Sequence, residues 1–150
     1  MEVRIRSWAV MVAVILGACG HEFEPPDREA RVADATQQFT EARFDTISWS
    51  DVATRELAGN EVYAARCRNC HGTLGAGGTD YAVERGLNVP SLVEPDWRLD
   101  GQADSVRFHV FVGHAAGMPN WGVTGLSQRQ IDAVSFYIVE RLRPEVLSGR

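Results

Sequence analysis

Cys67-Arg68-Asn69-Cys70-His71 is the stretch from which the rest of the sequence is read. Two thiols three positions apart near the end of a helix face the same side, and the next residue carries an imidazole. Three chemistries use such a pattern. A zinc half-site needs two further ligands at suitable spacing, and the one other cysteine, Cys19, lies far upstream. A redox dithiol of the thioredoxin kind needs a strand before it. Covalent haem attachment needs only what is present: each thiol adds to one vinyl group of a single porphyrin, and the histidine faces the iron. The sequence therefore favours one covalent haem, held by Cys67 and Cys70 with His71 as an axial ligand.

A second axial ligand must come from elsewhere. Met1 and Met11 fall in an N-terminal leader, which leaves Met118, in Gly117-Met118-Pro119-Asn120-Trp121. Flanking Gly and Pro make a non-helical loop able to hold a thioether towards a metal. A lone methionine is otherwise core filler. His114 is the rival ligand, just beyond the expected helix stop at Gly113; His109 falls mid-helix and His21 upstream of the domain.

Outward from this centre the pattern is helical, with no convincing strand. A first helix is expected from Asp51 into Cys67, with Gly59 in its middle. A glycine there lowers helix stability, so it implies close approach of another element, or else a break between two short helices. Gly72, Gly75, Gly77 and Gly78 argue against regular structure until well past Tyr81. A helix over 103–112 should end at Gly113. The last helix has the clearest start: Ser127 and Gln130 form a capping box, with Leu126 and Ile131 as a hydrophobic staple. Ile131, Val134, Ile138 and Leu142 line its apolar face, Arg141 and Arg143 suit its C-terminal end, and Pro144 is expected to stop it.

Residues 1–18 read as an export leader, with Arg4 and Arg6 before an apolar run from Trp8 to Leu16 too short to span a bilayer. Leu16-Gly17-Ala18-Cys19 resembles a lipobox, which makes Cys19 a lipidated membrane anchor; an ordinary cleavage site nearby is the alternative. Residues 19–50 are polar and read as a tether, within which Glu29 to Phe39 suits a short helix whose apolar positions are sparse and whose burial partner is not evident. If flexible, about thirty residues would reach roughly 30 Å. The domain follows at 51–146, with a tail at 147–150. The net charge is −5, and all fifteen basic residues are arginines, scattered along the chain. No basic stripe exists for nucleic acid. A lysine ring for docking is also impossible, so redox partners are expected to meet weak apolar contact rimmed by arginine or carboxylate.

From Asp51 to Leu142 the sequence resembles a class I c-type cytochrome domain of the bacterial single-haem kind. The resemblance rests on Gly59 with Tyr63, on Cys67 to Gly72, on Pro90 with Leu92, on Gly117 to Pro119 and on Tyr137. It implies an all-α cytochrome c fold of three to four helices around one haem c, with perpendicular first and last helices meeting where Gly59 touches Tyr137 or Phe136. It also implies that His71 is the proximal ligand and that the Pro90 carbonyl accepts its ring N–H. The insert from Asp80 to Arg85 has no assigned use. With His71 and Met118 on the iron, the chemistry is gain and loss of one electron. Ala115, Ala116, Asn120 and Trp121 are candidates for the exposed haem edge; Arg98, Trp97, Tyr81 and Trp121 are candidates for the propionates. The function expected is a membrane-tethered, extracytoplasmic electron carrier on the periplasmic or cell-surface side. It would run between a quinol-oxidising complex or dehydrogenase and a terminal oxidase or other acceptor. Alternatives are a fixed haem subunit of a larger oxidoreductase complex and a sensor or catalytic haem with a labile sixth ligand.

Overall fold

The computed structural model describes residues 27–149, so the leader, Cys19 and Arg150 lie outside the described residues. Regular structure among the described residues is helical, with one isolated bridge between His114 and Met118. The helices are α1 (Arg28–Gln38), α2 (Val52–Val62), α3 (Arg68–His71), α4 (Asp80–Glu84), α5 (Ala103–Val112), α6 (Trp121–Thr124), α7 (Gln128–Tyr137) and α8 (Arg143–Leu147). Two π turns, Tyr63–Cys67 and Ile138–Leu142, join α2 to α3 and α7 to α8.

Asp51 begins α2 by accepting the Thr54 backbone N–H at 2.7 Å, which also holds its carboxyl below the usual range. Ser127 caps α7 with the full reciprocal box to Gln130. The two helices cross at Gly59, and α2 is unbroken there. A Cβ on Gly59 would fall on the Ala133 carbonyl oxygen and lie 2.6 Å from Tyr137 Cβ. Close approach, not a helix break, is therefore what this glycine serves. Tyr63, one turn further on, stacks obliquely on Tyr137 at 5.7 Å. Ile131, Val134, Ile138 and Leu142 are all buried, and burying each contributes about 1.5–3 kcal/mol.

Residues 27–50 correct the tether expectation: they are folded onto the domain. Ala35 is fully buried, and Phe39 meets Phe108 and Phe111 edge-on at 5.1 and 5.4 Å. Further along, the Trp49 indole N–H donates to Asp132 at 2.8 Å. Asp132 is a buried hub, since it also accepts from Arg55 at 2.6 Å and lies 3.8 Å from Arg107. A buried carboxylate is tolerated only with such partners. The sparse apolar positions of α1 hid this docking, because its anchors are aromatic and ionic contacts made across most of the chain.

Two smaller differences follow from local chemistry. Thr79 caps α4, its hydroxyl accepting the Ala82 N–H at 3.2 Å, so the glycine-rich stretch gives way to helix at Asp80, earlier than expected. Pro144 does not end the last helix. The π turn before it sends the Arg143 N–H to the Ile138 carbonyl, five residues back, and Pro144 enters the first turn of α8, where its missing donor is not needed.

Replacing Asp132 by Ala leaves Arg55 and Arg107 without their shared partner and should cost about 3–5 kcal/mol in denaturant unfolding. Gly59→Ala should cost about 1–3 kcal/mol by overpacking the α2–α7 crossing. An unchanged midpoint in either variant would contradict the packing described.

Candidate functional site

The π turn carries Cys67 to the buried side of the α2–α3 rod, and α3 presents Cys70 and His71 one turn later. The end of this attachment turn is fastened twice. The Tyr63 hydroxyl donates to the Gly72 carbonyl at 2.8 Å, and the Thr79 hydroxyl to the Asn69 carbonyl at 2.6 Å. The cysteines are not joined in a disulfide. Burial first, and then the neighbouring Cys70, push the Cys67 thiol up to about 12. A thiol so hard to ionise is the reverse of a redox-active dithiol, whose pKa is lowered. Among the described residues, no three His, Cys, Asp or Glu side chains converge as a metal-binding group, so a zinc site finds no ligand set.

His71 is held below the ordinary imidazole pKa by burial, which the Pro90 backbone carbonyl partly offsets. Its Nδ1 is nevertheless buried without a well-formed hydrogen bond. The Pro90 carbonyl is close enough to favour a ring N–H, but the contact stops short of full geometry.

Cys67, Cys70 and His71 line one side of a cavity of about 560 Å³, within the range of small-molecule and cofactor pockets. Its walls are apolar: Leu92, Leu99, Val106, Val110 and Ile138 contribute from the 90–100 loop, α5 and the second π turn. The loop after α5 closes another side with His114, Gly117, Met118 and Pro119. Gly113 ends α5 at φ +72°, and a Cβ there would lie 2.6 Å from the Met118 carbonyl oxygen. That close return is fixed by the His114 N–H, which donates to the same oxygen at 3.0 Å.

The structure brings Met118, His114 and His109 to the same cavity as His71. They are not equivalent. Met118 is half-buried and packed against the core, whereas His114 is exposed, with its Nδ1 facing the Ala116 backbone N–H at 3.4 Å. His109 sits on α5, its pKa lowered by burial and then by the charges of Arg98 and His114. The four expected propionate partners, Tyr81, Trp97, Arg98 and Trp121, all reach the cavity wall, joined by Arg66, which sequence reading missed. Arg66 lies over the Trp121 ring at 5.9 Å. Among the described residues, no carboxylate lines the cavity. Of the residues proposed for an exposed edge, Asn120 is buried, which removes it from that role.

The family model described as cytochrome C oxidase, cbb3-type, subunit III matches residues 54–138, from the first turn of α2 to the start of the second π turn. The chain belongs to this family. It is a class I c-type cytochrome domain with the all-α cytochrome c fold. The cbb3-type cytochrome c oxidase subunit CcoP of Rhodobacter capsulatus is 32% identical over 90 residues, 56% of this chain and 28% of that protein. The chain thus spans less than a third of that relative's length. No solved structure matches.

The site of this cytochrome domain fits haem c on its own chemistry. Two thiols and an imidazole face one apolar cavity, and two arginines, with no competing carboxylate among the described residues, suit an acidic macrocycle. Haem c supplies this family with one-electron transfer.

Gly113→Ala should displace the Met118 loop, because the left-handed backbone and the 2.6 Å approach both exclude a side chain. The measurement is amide hydrogen exchange at His114, whose protection should fall; retained protection would show that the loop does not depend on this glycine.

Proposed function

We propose that the chain is an exported, membrane-anchored carrier of single electrons, with one haem c bonded through Cys67 and Cys70. In this reading His71 is the proximal ligand, Met118 the sixth, and Cys19 the lipidated anchor. The observation that carries it is the arrangement around one apolar cavity: the C-x-x-C-H turn lines one side and the Gly-Met-Pro loop another. A count of one is supported by a single C-x-x-C-H in the 150 residues.

Each residue has a task in this reading. The Tyr63 and Thr79 hydroxyls hold the attachment turn so that His71 faces inward, and the Pro90 carbonyl, now short of full geometry, would accept its Nδ1–H once haem is bound and fix ring orientation. Gly113 and the His114–Met118 bridge hold the thioether loop against the core, and the same bridge leaves His114 at the surface. Thioether ligation favours ferrous iron and so raises the potential. With His71 and Met118 both holding the group, it would supply gain and loss of one electron and no open site for a substrate.

The anchor rests on the lipobox-like Leu16 to Cys19, since no helix among the described residues is long and apolar enough to cross a membrane. The docking of residues 27–50 changes its meaning. Cys19 lies eight positions before Asp27, the first described residue, so the two are at most about 29 Å apart. The domain would be held close to the membrane, among membrane-bound donors and acceptors: a quinol-oxidising complex or dehydrogenase on one side, a terminal oxidase on the other. The family match favours a second reading, in which the chain is a fixed haem subunit of an oxidase assembly. Co-purification of a stoichiometric partner after mild solubilisation would decide for the second; isolation as a free lipoprotein would decide for the first.

Cys67→Ala with Cys70→Ala should abolish covalent haem and leave much of the domain unfolded, since the cofactor completes the core. Haem that survives acid-acetone extraction of that variant would overturn the attachment. Met118→Ala should keep the haem but remove the weak methionine-to-iron band and lower the potential. An unchanged potential would move the sixth ligand to His114.

A further inference from the structure

Arg143 is the largest fully buried side chain of the domain, and nothing in the electron-carrier reading uses it. Its guanidinium works on the loop that walls the haem cavity. Nε donates to Asp100 at 2.9 Å, Nη1 donates to the Leu92 carbonyl and, at 3.2 Å, to the Glu94 carbonyl, and the plane lies over the Trp97 ring at 4.8 Å. Leu92, Trp97, Arg98 and Leu99 line the cavity; Arg143 does not. It holds the wall from behind.

The charges of this pair are unequally placed. The Arg143 side chain is 1% exposed and that of Asp100 56%. Water screens the carboxylate and not the guanidinium, so their fields do not cancel inside the domain. Nη2 is also buried without a partner. A buried donor left unpaired costs free energy, and its retention calls for a use.

We propose that Arg143 is a positioning residue that fixes the 90–100 wall of the haem cavity and acts there as a net buried positive charge, biasing the iron towards its reduced state. The inference rests on haem occupying this cavity. Oxidised iron carries one more positive charge than reduced iron, so an unscreened cation nearby penalises the oxidised form. The loop is gripped through two backbone carbonyls as well as a carboxylate, which needs the planar fork of arginine.

The test is an optically monitored redox titration of the full-length, haem-loaded protein and of Arg143→Met, Arg143→Lys and Asp100→Asn, with covalent haem verified in each by mass. Asparagine keeps an acceptor for Nε but removes the negative charge. Asp100→Asn should therefore leave the potential unchanged or raise it slightly, because water already screens that carboxylate. Arg143→Met should lower it severalfold, and Arg143→Lys should stay closer to the wild type. A role limited to packing predicts that loosening the wall from either partner admits water and shifts both variants the same way. A fall in potential in Asp100→Asn, or an unchanged potential in Arg143→Met, would overturn the proposal. If Arg143→Met does not load haem, Asp100→Asn and Arg143→Lys decide by the same criteria. Absence of covalent haem from the wild type would be a failure of the haem reading, not of this one.

Discussion

The backbone contact between α2 and α7 at Gly59 is the constraint on which the rest of the structure depends. With no side chain at that point, the helix that ends in Cys67, Cys70 and His71 lies directly on the helix whose continuation supplies Ile138, Leu142 and Arg143. Both sides of the cavity are thereby referred to one junction. Moving the helices apart by the width of a methyl group would separate the attachment turn from the wall that faces it. Close packing transmits such a displacement without damping it.

Around this junction the domain is closed by contacts between elements remote in sequence. Residues 27–50 are drawn in by the Phe39 cluster with Phe108 and Phe111, and by Trp49 on Asp132. The 90–100 loop has no regular structure and is held by the Arg143 guanidinium together with the Leu92 N–H, which donates to the Gly75 carbonyl at 2.7 Å. In both places a buried ionic group does what a small apolar core cannot: it directs an irregular segment to a single position. The two π turns serve the same economy of means, one turning Cys67 inward and the other admitting Pro144 without ending the helix.

Much of this was legible in the sequence because its chemistry is local. The capping box at Ser127, the glycine stop at Gly113 and the need for close approach at Gly59 each follow from residues within one or two turns, and the structure has them. The C-x-x-C-H turn and the methionine loop could be matched in advance because each is short and chemically specific. What escaped was set by distant contacts. Nothing in the polar run from Gly20 to Ser50 announces that Trp49 will reach Asp132, and Arg143 beside Pro144 reads as an ordinary positive residue near a helix end. Its buried role shows only once the 90–100 loop is in place. Thr79 was a missed capping signal, overshadowed by the four glycines before it.

The account stands on covalent attachment of the cofactor, and peptide mass spectrometry of the mature protein examines that most directly. The fragment holding Cys67 and Cys70 should carry the mass of one porphyrin through denaturation, with neither thiol open to alkylation. Unmodified, alkylatable cysteines in that fragment, with all pigment released into the denaturant, would contradict it.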